Sequence, residues 1–344
     1  MRRSDTSIRR QILSSISASK IRVRNLEKNR PATRVTLVFA AVILVAIAAL
    51  QLACSGYSSS ASSSGSGATP TTPTTPVPAN VPTFSHVFLI VEENHSFSEV
   101  VGNSSMPYFN SLVSKYGLAK QYFANAHPSI PNYLMLTTGQ IETFDDDFSG
   151  TIKDDNVVRE LINAGKSWKA YEESIPSPGY LGGDAPPYVR RHNPFVLLSD
   201  VQGSPAQASH IVEFSQFATD LANDSLPQYS FIAPNVDNDA HNGTLAAADS
   251  WLQKNIDPLI ASSTFQNGGL LIITFDEAED TDVDHGGGQV ATLIISSNAK
   301  PNFQSQTLYQ HQSTLRLILE ALGVNKLPGE SAEAPELSEF FNGH

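Results

Sequence analysis

Four stretches of this chain place carboxylates, often with a histidine, directly after a short apolar run. They are Glu92-Glu93-Asn94-His95, Glu172-Glu173, the PNVDNDAHNG segment from Pro234 to Gly243, and the DEAEDTDVDHGGG segment from Asp276 to Gly288. Carboxylate oxygens and imidazole nitrogens are ligands for a divalent cation, and a rim shared by several such clusters is what a metal site needs. One cluster alone, such as Asp237-Asn238-Asp239, reads more readily as a solvated turn, because Asp and Asn favour turns for backbone reasons. Taken together, with His95, His241 and His285 among them, they point to a site for one or two cations.

A fifth segment offers a nucleophile. In AHPSIPNYLMLTTG, Ser129 stands between Pro128 and Pro131 just ahead of an apolar helical stretch. A hydroxyl at a helix N-terminus has a rigid backbone, and amide donors beside it face any anion that it attacks. A plain N-cap is the competing reading for an isolated serine. No G-x-S-x-G segment occurs, which argues against an α/β-hydrolase triad.

The elements that must carry these residues are legible in outline. Strand character runs through His86–Val91, Ser167–Tyr171, Tyr229–Ala233, Leu270–Phe275 and Ala291–Ser296, with apolar positions consecutive rather than alternating, as in strands covered on both faces. Helical period runs through Pro107 to Tyr116, Asp154 to Ala164, Val212 to Ala222, Leu245 to Ile260 and Ser313 to Leu322. Strands alternating with helices predict an α/β three-layer sandwich on a mostly parallel sheet, with ligands bound beyond the carboxyl ends of its strands.

The 344 residues are 40% hydrophobic and 16% charged, which excludes disorder, collagen and a multi-span membrane protein. Residues 1–34 carry a net charge of +8 against −12 for the whole, so the remaining body is strongly acidic and offers no surface for nucleic-acid phosphates. Residues 1–54 read as a basic leader plus a hydrophobic signal or anchor. The run from Val35 to Ala53 is nineteen uncharged residues, and the basic segment before it, kept inside by the positive-inside rule, places the body of the chain outside the cytoplasm. Cys54, the single cysteine, sits where a bacterial lipoprotein is acylated, although Gln51 replaces the usual Leu. Residues 55–82 are a Ser/Thr/Gly/Pro tether, and 83–344 are the catalytic domain, attached to the membrane through the anchor or a lipidated Cys54 or released from it.

The segments IVEENHSFSEVVG, HPSIPNYLMLTTG, RRHNPFV, PNVDNDAHNG, GGLLIITFDEAED, GGGQVATLIIS and YQHQSTLRLILEALG succeed one another from Ser85 to Gly323. In that order they resemble the phosphoesterase family of secreted acid phosphatases and phosphatidylcholine-type phospholipases C, within the alkaline phosphatase superfamily. The resemblance implies an alkaline-phosphatase-like fold and a divalent metal held by Glu93, Asn94, Asp276 and Glu277, with Ser129 as the metal-bound nucleophile. It implies Asp239 with His241 as the family's Asp-x-His, ahead of Asp237 with His241 at the spacing of two-metal relatives. His285 would be a second-metal ligand or a phosphate contact, and His311 a catalytic residue. His127 would orient the nucleophile loop or meet substrate, as Asn132, Arg190, His192 and Asn193 would. Glu277 stands where many superfamily members have His, which favours a harder, oxygen-preferring cation.

The expected activity is metal-dependent hydrolysis of a phosphoric ester by an exported acid phosphatase through a phosphoserine. The substrate would be a small phosphate ester or a phospholipid. A phospholipase C or phosphodiesterase, or a non-catalytic cation-binding surface protein, are the alternatives. A histidine acting as general acid must be protonated, which favours activity below neutral pH.

Overall fold

The computed structural model describes residues 80–343. The leader, the apolar run, Cys54 and nearly all of the tether lie outside the described residues, among which no helix is long and apolar enough to cross a membrane. The folded part starts earlier than position 83. Val81 is buried, and Asn80 Nδ2 donates to Glu336 Oε2 at 3.2 Å.

Eight strands form one sheet: β1 His86–Glu92, β2 Gly117–Tyr122, β3 Trp168–Glu172, β4 Ile211–Glu213, β5 Tyr229–Ala233, β6 Gly269–Phe275, β7 Thr292–Ile295 and β8 Gln304–Tyr309. Their order is β4-β3-β5-β1-β6-β7-β2-β8. All neighbours are parallel except β7, which runs antiparallel to both β6 and β2. The five strands expected from sequence are present. β2, β4 and β8 are additional: β4 has only three residues, and β8 is a largely exposed edge without an apolar run. Val212 and Glu213 belong to β4, so the helix expected from Val212 begins at Ser215 instead.

The helices of seven residues or more are α1 Pro107–Val113, α2 Ser129–Thr138, α3 Val157–Asn163, α4 Ser215–Ala222, α5 Leu245–Ala261 and α6 His311–Ala321. Side chains alternate along a strand, so the register assigns each helix to a face. Phe88 of β1 meets Phe217 of α4, whereas Phe231 of β5, in register with Leu89, meets Tyr133 of α2. Phe275, in register with Glu92, meets Phe109 of α1. Helices α1, α4 and α5 therefore cover one face, and α2, α3 and α6, which pack on one another, cover the other. The same alternation sends Glu92 towards α1 and α5 and Glu93 towards α2. Glu92 is fully buried and its carboxyl is pushed up by burial and then by Asp239 and Asp249.

Candidate active site

The central strands β5, β1 and β6 end together, and their trailing residues meet the N-terminus of α2. Pro128 is the N-cap and Ser129 the first helical residue, buried like the other nine. The helix stops at Gly139 in the left-handed conformation, φ 70°, where a Cβ would lie 2.4 Å from Pro328 O. Ser129 Oγ donates to Glu277 Oε1 at 3.1 Å and lies 3.5 Å from Glu93 Oε2. Glu277 Oε2 is 2.7 Å from His127 Nδ1, while His127 Nε2 donates to Asp282 O at 2.8 Å. With Nε2 fixed as a donor to a carbonyl, Nδ1 is the nitrogen that faces Glu277.

Glu93 links two clusters. Towards Ser129 stand Glu277 and Asp276; Asp276 Oδ1 accepts the Asn94 N–H at 3.1 Å, at a left-handed Asn94 with φ 54°. On the other side, Glu93 Oε1 accepts a short hydrogen bond from Tyr133 OH and lies 3.2 Å from His192 Nε2. His192 stacks on Tyr133, and its Nδ1 is 3.2 Å from Asp239 Oδ2. Both histidine approaches are close but out of line for hydrogen bonding, so His192 Nε2 and Asp239 Oδ2 remain without a hydrogen-bond partner, as does Asp276 Oδ2.

Burial pushes all four carboxyls up. Glu93 and Asp276 lie well above the ordinary range, Asp239 is raised to about 7 and Glu277 to about 8. Burial also holds His192 neutral. Four buried acids raised by desolvation, with oxygens to spare and a serine hydroxyl among them, suit a divalent cation. The ligand atoms of Glu93, His192 and His241 also lie within 4.8 Å of one another.

Glu93, Asn94, His127, Ser129, His192, Asp239, His241, Asp276 and Glu277 are thus brought to one place. His241 is half-buried at the rim. Its Nδ1 faces Asn242 Oδ1 at 3.1 Å, and its Nε2 faces Arg191 Nη2 at 3.3 Å.

Several other sequence expectations need correction. Asn132 is fully buried and holds the nucleophile loop instead of meeting substrate: its Oδ1 accepts the amides of Asn125 and Ala126, and its Nδ2 donates to Ala126 O. His311 is fully buried under the site, with Nε2 donating to Asp276 O at 2.6 Å and Nδ1 facing Tyr122 OH at 3.1 Å. Burial lowers it to about 4, and its ring is held against the Asp276 carbonyl instead of facing the Ser129 cluster. Asp237 is exposed, unlike buried Asp239. The ring of exposed His285 packs on Phe123 at 4.3 Å, outside the carboxylate cluster. The glycines after it serve the loop: a Cβ on Gly286 would lie 2.0 Å from Asn125 O. Asn193 is fully buried and donates to Tyr188 OH, and Arg190 donates to Phe148 O.

Three residues at the site go beyond the sequence expectations. Tyr133 lies four positions after Ser129, the spacing that shares a helix face, so a signal for it exists. Arg191 reaches His241 and Asp146 where Arg190 is expected. Asp146 accepts the Ile130 N–H, and nothing in the Asp145-Asp146-Asp147 run distinguishes it.

The fold has counterparts among solved proteins of the alkaline phosphatase superfamily. A superfamily protein from Vibrio parahaemolyticus superposes with a TM-score of 0.50 at 13% identity, covering 77% of this chain and 70% of that one. The phosphonate monoester hydrolase of Agrobacterium radiobacter gives 0.51 at 12% identity, over 75% of this chain and 77% of that one. The model of the phosphoesterase family matches residues 103–325, and the chain belongs to that family. The phosphatidylinositol-3-phosphatase of Mycobacterium tuberculosis is 33% identical over 270 residues, 76% of this chain and 84% of that protein. The acid phosphatase of Aspergillus fumigatus is 30% identical over 71% of this chain, and the probable acid phosphatase of Kluyveromyces lactis 31% over 67%. These matches span 56% of each fungal relative's length.

Proposed function

We propose that the chain is an exported, metal-dependent phosphomonoesterase of the acid phosphatase type, acting through a phosphoserine at Ser129. The observation that carries this is the Ser129 hydroxyl at the start of α2, hydrogen-bonded to Glu277 and ringed by Glu93 and Asp276. Glu93, Asn94, Asp276 and Glu277 would hold a divalent cation, with Asp239, His192 and His241 beside them. When bound, the cation supplies positive charge that acidifies the serine hydroxyl and neutralises phosphate.

The chain's own groups supply the rest. Glu277 accepts the Ser129 proton, with His127 steadying its far oxygen. Ser129 Oγ attacks phosphorus in line, and the Ile130 amide and Arg191, both held by Asp146 in this structure, would meet the phosphate oxygens, where charge accumulates, once phosphate displaces that carboxylate. His241, half-buried at the rim, gives a proton to the departing alkoxide, and water then cleaves the phosphoserine by the reverse path. Export rests on residues 1–54 of the sequence.

The test is turnover of p-nitrophenyl phosphate from about pH 4 to 9 by wild type and Ser129→Ala, with and without EDTA. Loss of turnover in the variant and in the chelated protein is expected. A fully active Ser129→Ala removes the serine mechanism.

A phosphorylated lipid is a second reading of the substrate. Phe144 and Val283 are 62% and 65% exposed, on the loops that send Asp146 to Ile130 and the Asp282 carbonyl to His127. Large apolar side chains beside a polar site suit an acyl interface. The mycobacterial relative named for a phosphoinositide supports the same direction. Faster turnover of a vesicle-borne phosphoinositide than of p-nitrophenyl phosphate would favour it.

A further inference from the structure

Beyond the ends of β3 and β4, on the face covered by α4 and α5, lies a cavity of about 620 Å³ separate from the Ser129 cluster. Phe214, Phe217 and Trp251 form part of its wall, and its charged members are Glu173, Glu213 and Lys254. Phe214 stacks on Phe217 at 5.6 Å and leans on Trp251 at 4.8 Å, so the aromatic wall is continuous.

The two carboxylates are fixed but not neutralised. Glu173 accepts from the Asn235 N–H at 2.9 Å, from Asn238 Nδ2 at 3.0 and 3.1 Å, and from Trp251 Nε1 at 3.2 Å. Glu213 accepts the Ser174 N–H at 3.4 Å and the Ser215 N–H at 2.6 Å. Every one of these donors is neutral. Among the described residues neither carboxylate forms an ion pair, nor does Lys254, although eight lysine or arginine pairs with carboxylates occur elsewhere. Neutral hydrogen bonds hold the oxygens in place and leave their charge facing the cavity.

The lining selects among ligands. A phosphate ester would meet two carboxylates against one ammonium, which disfavours it. A small metal ion would leave most of the volume empty and the aromatic wall unused. An alkylated ammonium ion uses both features, because its charge faces carboxylates and its methyl groups lie on aromatic surface. We propose that this cavity is a second, non-catalytic site for an organic ammonium ion carrying an apolar body.

The site is wired to the catalytic loop. Asn238, held through both Glu173 oxygens, immediately precedes Asp239, whose carboxylate faces His192. A bound cation would share the carboxylate that fixes this loop.

Binding can be read without catalysis, so its failure is distinct from failure of the phosphatase reading. The chain has two tryptophans, Trp251 in the wall and Trp168 buried with its Nε1 on Gln207. Titration of the intact protein with benzyltrimethylammonium should give a saturable fluorescence change that Trp251→Phe abolishes. By calorimetry, Glu213→Gln should weaken binding about tenfold, and Lys254→Gln should strengthen it severalfold. Neutral benzyl alcohol should bind at least about tenfold more weakly than the cation. Lys254→Gln changes a side chain that holds no ion pair among the described residues, so it keeps the test open if the Glu213 variant folds poorly. No saturable binding, or equal affinity for the cation and the alcohol, would overturn the proposal.

Discussion

The carboxylate of Asp146 accepts the Ile130 N–H at 3.2 Å, so an anion of the chain itself occupies the amide next to Ser129. Its other oxygen is 3.4 Å from Arg191 Nε. A helix N-terminal amide paired with a guanidinium is a natural phosphate cradle, and Asp146 fills it. Replacing Asp146 with Ala should therefore tighten inhibition by inorganic phosphate by about three- to tenfold. An inhibition constant that is unchanged or weaker in the variant would show that Asp146 helps to hold phosphate instead.

Ser129→Ala removes the proposed nucleophile while leaving α2 intact, since Ala is a good helix former. The expected loss of kcat is about a thousandfold or more, with an unchanged melting temperature. Acid-quenched wild type should carry a phosphate on the peptide containing Ser129, detectable by mass spectrometry. A phosphate recovered on a histidine peptide would reassign the nucleophile.

Cation affinity should fall with acidity. Without the metal, Asp239 is raised to about 7 and Glu277 to about 8, so at pH 6 both largely hold protons that a cation must displace. Calorimetry in buffers of different ionisation enthalpy should show proton release on binding, and affinity should rise from about pH 6 to 8. Binding without proton release would mean that these carboxyls are not the ligands.

His311 predicts a separate pH effect on stability. Its folded value, about 4, is below the unfolded one near 6.5, so the unfolded chain takes the proton first as pH falls. Stability is complete above about pH 6.5, and up to about 3 kcal/mol is lost as pH falls towards 4. His311→Gln should be less stable than wild type at pH 7 but should lose less on acidification, as read by urea midpoints at the two pH values.

The sequence is most informative where an apolar run stops at an acid. Glu93, Asp276 and Glu277 are legible because the apolar runs of β1 and β6 stop at Val91 and Phe275 and the polar side chains that follow fall at the carboxyl edge. The same runs hide which face each residue takes, since strands buried on both faces do not alternate in polarity. Glu92 therefore looks like Glu93 in sequence yet faces α5. Asn132 and His311 are polar residues that could serve the site or its support, and only the partners decide: amides and carbonyls of the nucleophile loop for one, the Asp276 carbonyl for the other. The antiparallel direction of β7 has no local signal, because its TLII suits either orientation.

The Asn94 amide and the Asp276 carboxylate meet across 182 residues of chain, and Ser129 meets Glu277 across 148. No contiguous fragment contains this centre, so the cation affinity proposed above would belong to the assembled sheet and be absent from the unfolded polymer. An ion bound here acts as a non-covalent cross-link between distant segments, adding its binding free energy to the work of unfolding. Metal supply would then set not only turnover but also survival against proteolysis.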